Sequence, residues 1–117
     1  MPTPGKRRWV VPDGYLPGTP PSHESACVLN VGSQPARLSF TFFLEDREPL
    51  GPVEVVVPAR RTLHLRLDDP AALHGLELPR DVPYAYSVES DEPVVLQHSR
   101  LDTTGGYTLF TTVAYGE

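Results

Sequence analysis

The sequence predicts an all-β protein, an antiparallel β-sandwich of about eight short strands that folds as one domain over residues 1–117. A chain of 117 residues has the usual length of a single domain. Its 14 prolines each lack a backbone donor, so their spacing leaves no room for a long helix. Short apolar or alternating runs also recur between turn signals, which is typical of sandwiches and barrels.

The first half of the chain begins with a short strand at residues 9–11, which enters the turn Pro12-Asp13-Gly14. Residues 26–31 are apolar on both faces, as expected for a central strand. Residues 38–44 alternate with a period of two, so one face is predicted to be buried. Phe43 alone interrupts the polar face of this strand.

The second half continues with a β-branched strand at 53–57 and a strand at 62–67, which alternates most strictly. Leucines occupy one face of the 62–67 strand and a cationic row occupies the other: Arg60, Thr62, His64 and Arg66. Residues 69–78 allow at most a short helical turn, because Gly75 and Pro79 interrupt it. The remaining predicted strands are 84–90, 94–100 and 107–115.

Composition and charge exclude several classes of partner. Ten basic and 15 acidic residues give a net charge of -5, which opposes binding to nucleic acid or anionic lipid. The basic cluster at residues 6–8 has no stacking aromatics or recognition helix beside it, so direct nucleic-acid binding is not expected. The single Cys27 excludes an internal disulfide, and no apolar segment resembles a secretory signal or could span a bilayer. The cytoplasm is the expected compartment.

Enzymatic motifs are missing from the sequence. It has no phosphate-binding loop, dinucleotide fingerprint, nucleophile elbow or H-E-x-x-H pair. Cys27 lies in an apolar run and is expected to pack there, and the spacing of His23, His64 and His98 does not suggest a metal site. No catalysis, metal or cofactor is therefore predicted. An enzyme built on His23 and Glu24 is a third alternative.

Four polar groups stand out on these β-patterned segments. A lone Trp9 beside a polar turn is either a core anchor or a stacking face for a sugar ring. Ser22-His23-Glu24 is either a turn-stabilising loop or a hydroxyl-binding pair. The cationic row either pairs with acidic residues on adjacent strands or binds an anionic or polyhydroxyl ligand. The segment 97–102, with His98 and Arg100, suits a ligand-binding rim, a subunit interface or solvent.

The order of several motifs resembles the sensory rhodopsin transducer family over nearly the whole chain. They are Trp9 with residues 12–17, Ser22-His23-Glu24, residues 27–30, 45–49, 60–66, Ser90-Asp91 and 93–102. The resemblance implies a β-sandwich, a homo-oligomer that is a tetramer, and a non-enzymatic signalling role. It allows two functions, a messenger for a membrane photoreceptor or a sensor of a small molecule such as a sugar.

The sensor is our first hypothesis, with a small polyhydroxyl or anionic metabolite as ligand. Trp9 supplies a stacking face, and His23 and Glu24 contact hydroxyl groups. A wall of donors completes the site: Arg60, His64, Arg66, His98 and Arg100. The alternative is a protein-interaction module in which the same residues contact a receptor, a transcriptional partner or another subunit. The sensor hypothesis requires these side chains to meet in one recess beside the indole.

Overall fold

The computed structural model describes residues 2–117, and within them it contains eight strands and no helix. Among these residues no helix is long and apolar enough to cross a membrane. The strands are β1 (Lys6–Tyr15), β2 (His23–Asn30), β3 (Ala36–Leu44), β4 (Leu50–Val57), β5 (Arg61–Arg66), β6 (Pro83–Asp102), β7 (Thr108–Val113) and β8 (Tyr115–Gly116). The prediction of an all-β antiparallel fold is confirmed.

The strands form two sheets that share the long strand β6. Sheet A has the order β4-β3-β6-β1-β8 and uses the first half of β6. Sheet B has the order β5-β2-β6-β7 and uses the second half. Every pairing of these strands is antiparallel. A single strand thus supplies side chains to both sheets of the sandwich.

The core lies between the two sheets and is built from alternate residues, as the strand patterns predict. Phe40 and Phe42 of β3 are fully buried, and both pack against the ring of Tyr86 with centroids 5.8 and 5.7 Å away. Val28 of β2 and Leu96 of β6 face them from sheet B within the same apolar cluster. Burial of these large side chains provides the main favourable contribution to folding.

Three sets of predicted strand boundaries were wrong. The turn expected at Pro12-Asp13-Gly14 is a β-bulge within β1, which runs from Lys6 to Tyr15. Segments 84–90 and 94–100 form the single strand β6, and segment 107–115 is divided into β7 and β8. Strand β6 bends at Ser90. The hydroxyl of Ser90 donates a hydrogen bond to the carbonyl of Glu92 at 2.6 Å across this bend. Pro93 lies just beyond, where β6 passes from one sheet to the other and a missing donor is tolerated.

Two local predictions also need correction, on strand β2 and on Arg60. Strand β2 is not buried on both faces, because Leu29 lies on the open outer face of sheet B. Segment 69–78 forms hydrogen-bonded turns with positive φ at His74 and Gly75, which agrees with the prediction of at most a short helical turn. Arg60 lies in the turn before β5 with φ of 57°, so it does not extend the row of alternate side chains on that strand.

Candidate functional site

A fully buried carboxylate, Glu24, lies at the centre of the candidate site. Its Oε1 accepts hydrogen bonds from the backbone N–H of Tyr15 at 2.8 Å and from the Tyr84 hydroxyl at 2.6 Å. Its Oε2 accepts from Nε2 of His98 at 2.9 Å and from Nε of Arg100 at 2.5 Å. We call Glu24, Tyr84, Tyr86, His98 and Arg100 the Glu24 cluster.

Strand register explains why these residues meet. Glu24 of β2 pairs directly with Arg100 of β6, and His98 is two residues before Arg100, so all three point to the interior from sheet B. Tyr84 and Tyr86 point inward from sheet A on the first half of the same β6. Four of the five side chains therefore come from one strand, which can place them together only because it crosses between the sheets.

The hydrogen-bond network shows which nitrogen of His98 donates to Glu24. A carboxylate only accepts hydrogen bonds, so Nε2 carries the proton that is donated to Glu24. The other ring nitrogen, Nδ1, lies 2.8 Å from the hydroxyl of Tyr86. This contact is the second hydrogen bond of the ring. A chain of hydrogen bonds thus runs from Tyr86 through His98 to Glu24.

Burial and charge shift the pKa values of the cluster in opposite directions. Burial alone would raise the pKa of Glu24, but hydrogen bonds from His98, Tyr84 and Arg100 more than offset this, and the pKa lies below its ordinary value. Burial raises the pKa of Tyr84 and of Tyr86 well above the ordinary value, and the nearby Glu24 charge raises both further. The cluster therefore holds a carboxylate among neutral phenols.

Arg100 connects the cluster to the surface. Its guanidinium lies 3.4 Å from a carboxylate oxygen of Asp13, in the β-bulge of β1. The same group stands over the ring of Phe110 on β7, with its central carbon 4.8 Å from the ring centroid. Burial alone would lower the pKa of Arg100, but its bond to Glu24 raises it above the ordinary value. Arg100 therefore neutralises Glu24 and contacts both β1 and β7.

The arrangement favours a structural role for the cluster. Glu24 and His98 are 0% and 1% exposed, so neither is open to a substrate. Within residues 2–117 every buried side-chain nitrogen and oxygen has a hydrogen-bond partner. In the same residues no group of three or more His, Cys, Asp and Glu side chains is placed to hold a metal ion. A ligand could bind here only by displacing an existing hydrogen bond.

A second group of polar residues lies on the outer face of sheet B. Arg66 donates to Asp68 through two nitrogens at 2.7 and 2.9 Å, and Arg80 lies 3.8 Å from the same carboxylate. Nδ1 of His23 lies 3.0 Å from a carbonyl of the preceding loop. His64 is exposed two residues before Arg66 on the same face. These donors are accessible, but Arg66 is already paired with a carboxylate.

The other two predicted site residues lie elsewhere. Trp9 is only 8% exposed, and its indole N–H donates to the carbonyls of Lys6 and Val94, each at 3.1 Å. The ring also packs under Gly116. Arg60 lies at the end of β5 farthest from Arg66. The structure thus brings together Glu24, His98 and Arg100 and places His23, His64 and Arg66 outside. The described residues form no common recess beside the indole.

Comparisons with known proteins identify the family. The model of the family described as Anabaena sensory rhodopsin transducer matches residues 4–116. The chain belongs to the Anabaena sensory rhodopsin transducer family.

Two solved structures resemble this member of the Anabaena sensory rhodopsin transducer family. The crystal structure of Thermotoga maritima 1070 is 42% identical with a TM-score of 0.87, covering 97% of this chain and 96% of that one. The Anabaena sensory rhodopsin transducer is 38% identical with a TM-score of 0.74, covering 82% of this chain and 98% of that one. A search of curated proteins finds no match. The predicted resemblance is confirmed.

Sequence reasoning missed four residues that shape the Glu24 cluster in this transducer-family chain: Tyr84, Tyr86, Asp13 and Phe110. A usable signal existed for the tyrosines, which alternate on a predicted strand and whose buried hydroxyls require partners. Glu24 and His98 were the obvious candidates as those partners. No comparable signal marked Asp13 or Phe110, because their contacts with Arg100 depend on how β1 and β7 are placed around β6.

Proposed function

We propose that this chain is a non-enzymatic signalling domain that acts through protein contacts as a homo-oligomer. The observation that carries the proposal is the exposure of strand β7. Val113 and Leu109 are 90% and 77% exposed, and Tyr107 just before the strand is also open. A strand with so many uncovered apolar side chains is typical of an interaction surface.

The free edge of β7 supports the same proposal. In the described part of the chain β7 pairs with β6 alone, so its other edge presents unpaired backbone donors and acceptors. Residues 103–116 carry no charged side chain and no proline, the features that usually prevent edge-to-edge pairing. This edge is therefore suited to pairing with another strand.

A second copy of this chain is the occupant that the charges favour. Each copy has a net charge of -5, so two copies repel unless they meet through an uncharged segment. Strand β7 is such a segment. A tetramer with two kinds of interface needs a second contact patch on each subunit. Leu29 and Val95 form an apolar patch of this kind, because they are paired and exposed on the outer face of sheet B. We therefore propose a homotetramer.

Light scattering coupled to size-exclusion chromatography tests the assembly. The wild-type mass is expected to be four times that of the 12.9 kDa chain. Val113→Glu should reduce it, because two copies of β7 would then place like charges in one interface. Val56→Glu is the matched control, an exposed valine on the edge strand β4. A monomeric wild type, or equal effects of the two variants, would refute the role of β7.

The proposed partner is a membrane photoreceptor, with a transcriptional partner as the alternative. This proposal rests on the family and on the relative described as a sensory rhodopsin transducer. Binding can be measured by interferometry with a sensory rhodopsin in lipid nanodiscs, using empty nanodiscs as the control. Saturable binding to the loaded discs alone supports the photoreceptor. Absence of such binding rejects it for that receptor.

A small polar ligand such as a sugar is a second candidate function. The specific observation in its favour is that His23, His64 and Arg66 present donors on one accessible face of sheet B. A sugar at a hundred times its Kd should stabilise the fold by about 2.7 kcal/mol in a thermal-shift assay. Arg66→Gln should abolish that stabilisation. A flat response to neutral, acidic and phosphorylated sugars counts against the candidate.

The absence of catalysis and the cytoplasmic compartment are also part of the proposal. Burial of the His98–Glu24 pair, which leaves no room for a substrate beside it, supports a non-enzymatic role. The partly exposed free thiol of Cys27 supports a reducing compartment.

A further inference from the structure

The outer face of sheet A carries a cavity that is separate from β7 and shares only Tyr84 with the Glu24 cluster. Its volume is about 270 Å³, and its lining is Pro12, Phe43, Leu44, Glu45, Pro83, Tyr84 and Ala85. A smaller hollow of about 110 Å³ adjoins it and shares Leu44, Glu45 and Pro83. The size is close to the lower limit for ligand sites, so a ligand here would be small.

A β-bulge and a small residue create this cavity. Val11 pairs with Tyr86 and Gly14 pairs with Tyr84, so Pro12 and Asp13 both stand opposite the single Ala85. On the other side of Ala85, β3 places Phe43 directly opposite it. Ala85 of β6 thus lies between Pro12 of β1 and Phe43 of β3. Because the alanine side chain is small, a slot remains between its neighbours, with Phe43 as one wall.

Phe43 is the apolar residue that interrupts the polar face of β3. It is 42% exposed, whereas its neighbour Phe42 is completely buried. Its role is therefore not explained by the core. An open aromatic ring in the wall of a cavity offers its negative face to a cation or its flat surface to an apolar group.

The charges around the cavity are acidic. Glu45 lines both hollows, and Asp46 lines the smaller one. No lysine, arginine or histidine lines either hollow. The nearest arginine in the sequence, Arg47, is bonded to Asp46 at 3.0 Å and leaves Glu45 available. The cavity therefore repels anions and attracts cations.

The polar groups of the lining also argue against a sugar in this cavity. The Tyr84 hydroxyl already donates to Glu24, so Glu45 provides the one available polar side chain of the larger hollow. A sugar has several hydroxyl groups, and most would lose hydrogen bonds to water without replacement. An ammonium group bearing alkyl substituents needs only one carboxylate and apolar walls.

We propose that this cavity is a binding site for a compact organic cation, such as a quaternary ammonium, with Glu45 as counter-charge and Phe43 as aromatic wall. The site is independent of the proposed assembly through β7.

Choline titration followed by ¹H–¹⁵N NMR tests the site on the full chain. We expect saturable shifts confined to amides around Ala85 and Phe43. Glu45→Gln and Phe43→Leu should each weaken choline binding about 2- to 5-fold, the range of an exposed cation–aromatic or charge contact. Glu48→Gln is the matched control, an exposed acid on the same loop that lines neither hollow.

Glucose and acetate serve as neutral and anionic probes in the same assay. No cavity shifts with choline up to about 10 mM, roughly ten times a millimolar Kd, would overturn the proposal. Equal choline affinity in Glu45→Gln and Glu48→Gln would also overturn it. Binding of glucose in preference to choline would do so as well. All three substitutions are at exposed positions, so near-native melting temperatures are expected to accompany each result.

Discussion

Replacement of the buried carboxylate by its neutral isostere, Glu24→Gln, is the most informative perturbation of the interior. Glu24 accepts two hydrogen bonds at each oxygen, from Tyr15 and Tyr84 at one and from His98 and Arg100 at the other. A glutamine amide can accept at only one of these ends. In either orientation its NH₂ group faces two donors, and Arg100 loses its charged partner.

The expected cost follows from removing one member of a buried ion pair. Such changes destabilise proteins by about 3–5 kcal/mol, because the remaining charge stays desolvated and unpaired. For a domain of this size, that corresponds to a fall in melting temperature of roughly 10–20 °C. Domains have a total stability of about 5–15 kcal/mol, so the variant should be marginal yet measurable.

Urea unfolding at neutral pH, followed by circular dichroism, measures this cost directly. Glu54→Gln is the matched control, an exposed glutamate on β4, and should stay within about 0.5 kcal/mol of wild type. If Glu24→Gln also remains within about 1 kcal/mol, the network does not hold a buried ion pair and the assignment of its charges is wrong.

The pH dependence of stability checks the same assignment independently. The folded-state pKa of Glu24 is below its ordinary value of 4.5. At pH values between these two pKa values, the unfolded chain therefore binds a proton at Glu24 that the folded chain does not bind. The stability contributed by this group is therefore complete above its ordinary pKa and is lost as the pH falls through the folded value. Glu24→Gln should flatten the acid limb of the profile, although Asp68 continues to contribute in both proteins.

Two further predictions concern buried aromatic residues. Tyr84 and Tyr86 should ionise only on alkaline unfolding, because their pKa values are raised. Replacing both with phenylalanine should therefore leave the tyrosinate absorbance change near pH 10 equal to that of wild type. A smaller absorbance change in a still-folded variant would contradict the raised pKa values. Trp9→Ala should cost about 3–5 kcal/mol in urea unfolding, because the indole is part of the core. A cost below about 1 kcal/mol would instead indicate an open indole.

Much of the fold could be predicted because alternation depends only on local sequence. The segment 62–67 shows this well, since its inward leucines include the buried Leu65 and Leu67 and its outward residues are exposed. The boundary inside β6 could not be predicted in the same way. Both halves alternate, and whether a bend at Ser90 ends a strand or carries it into a second sheet depends on the pairing partners.

The candidate site could be predicted only in part, for a related reason. Parity places Glu24, His98 and Arg100 on inward faces once β2 and β6 are known to be neighbours, and these three do meet. Parity says nothing about strand order. Trp9 belongs to β1, where it pairs with Val88 and Gly116 and donates its indole N–H to Lys6 and Val94, so it lies apart from these three residues. Sequence alone does not reveal that separation.

The complete pairing of the Glu24 cluster suggests what a buried charge contributes to a protein that we propose acts through contacts. Well-packed apolar residues would stabilise the interior at least as well, so stability does not explain the charges. Arg100 is held from inside by Glu24 and touches Asp13 in the β1 bulge and Phe110 on β7. An apolar residue could not direct two such contacts. We therefore interpret the cluster as the feature that fixes β7, which has few buried side chains of its own, in one position for docking.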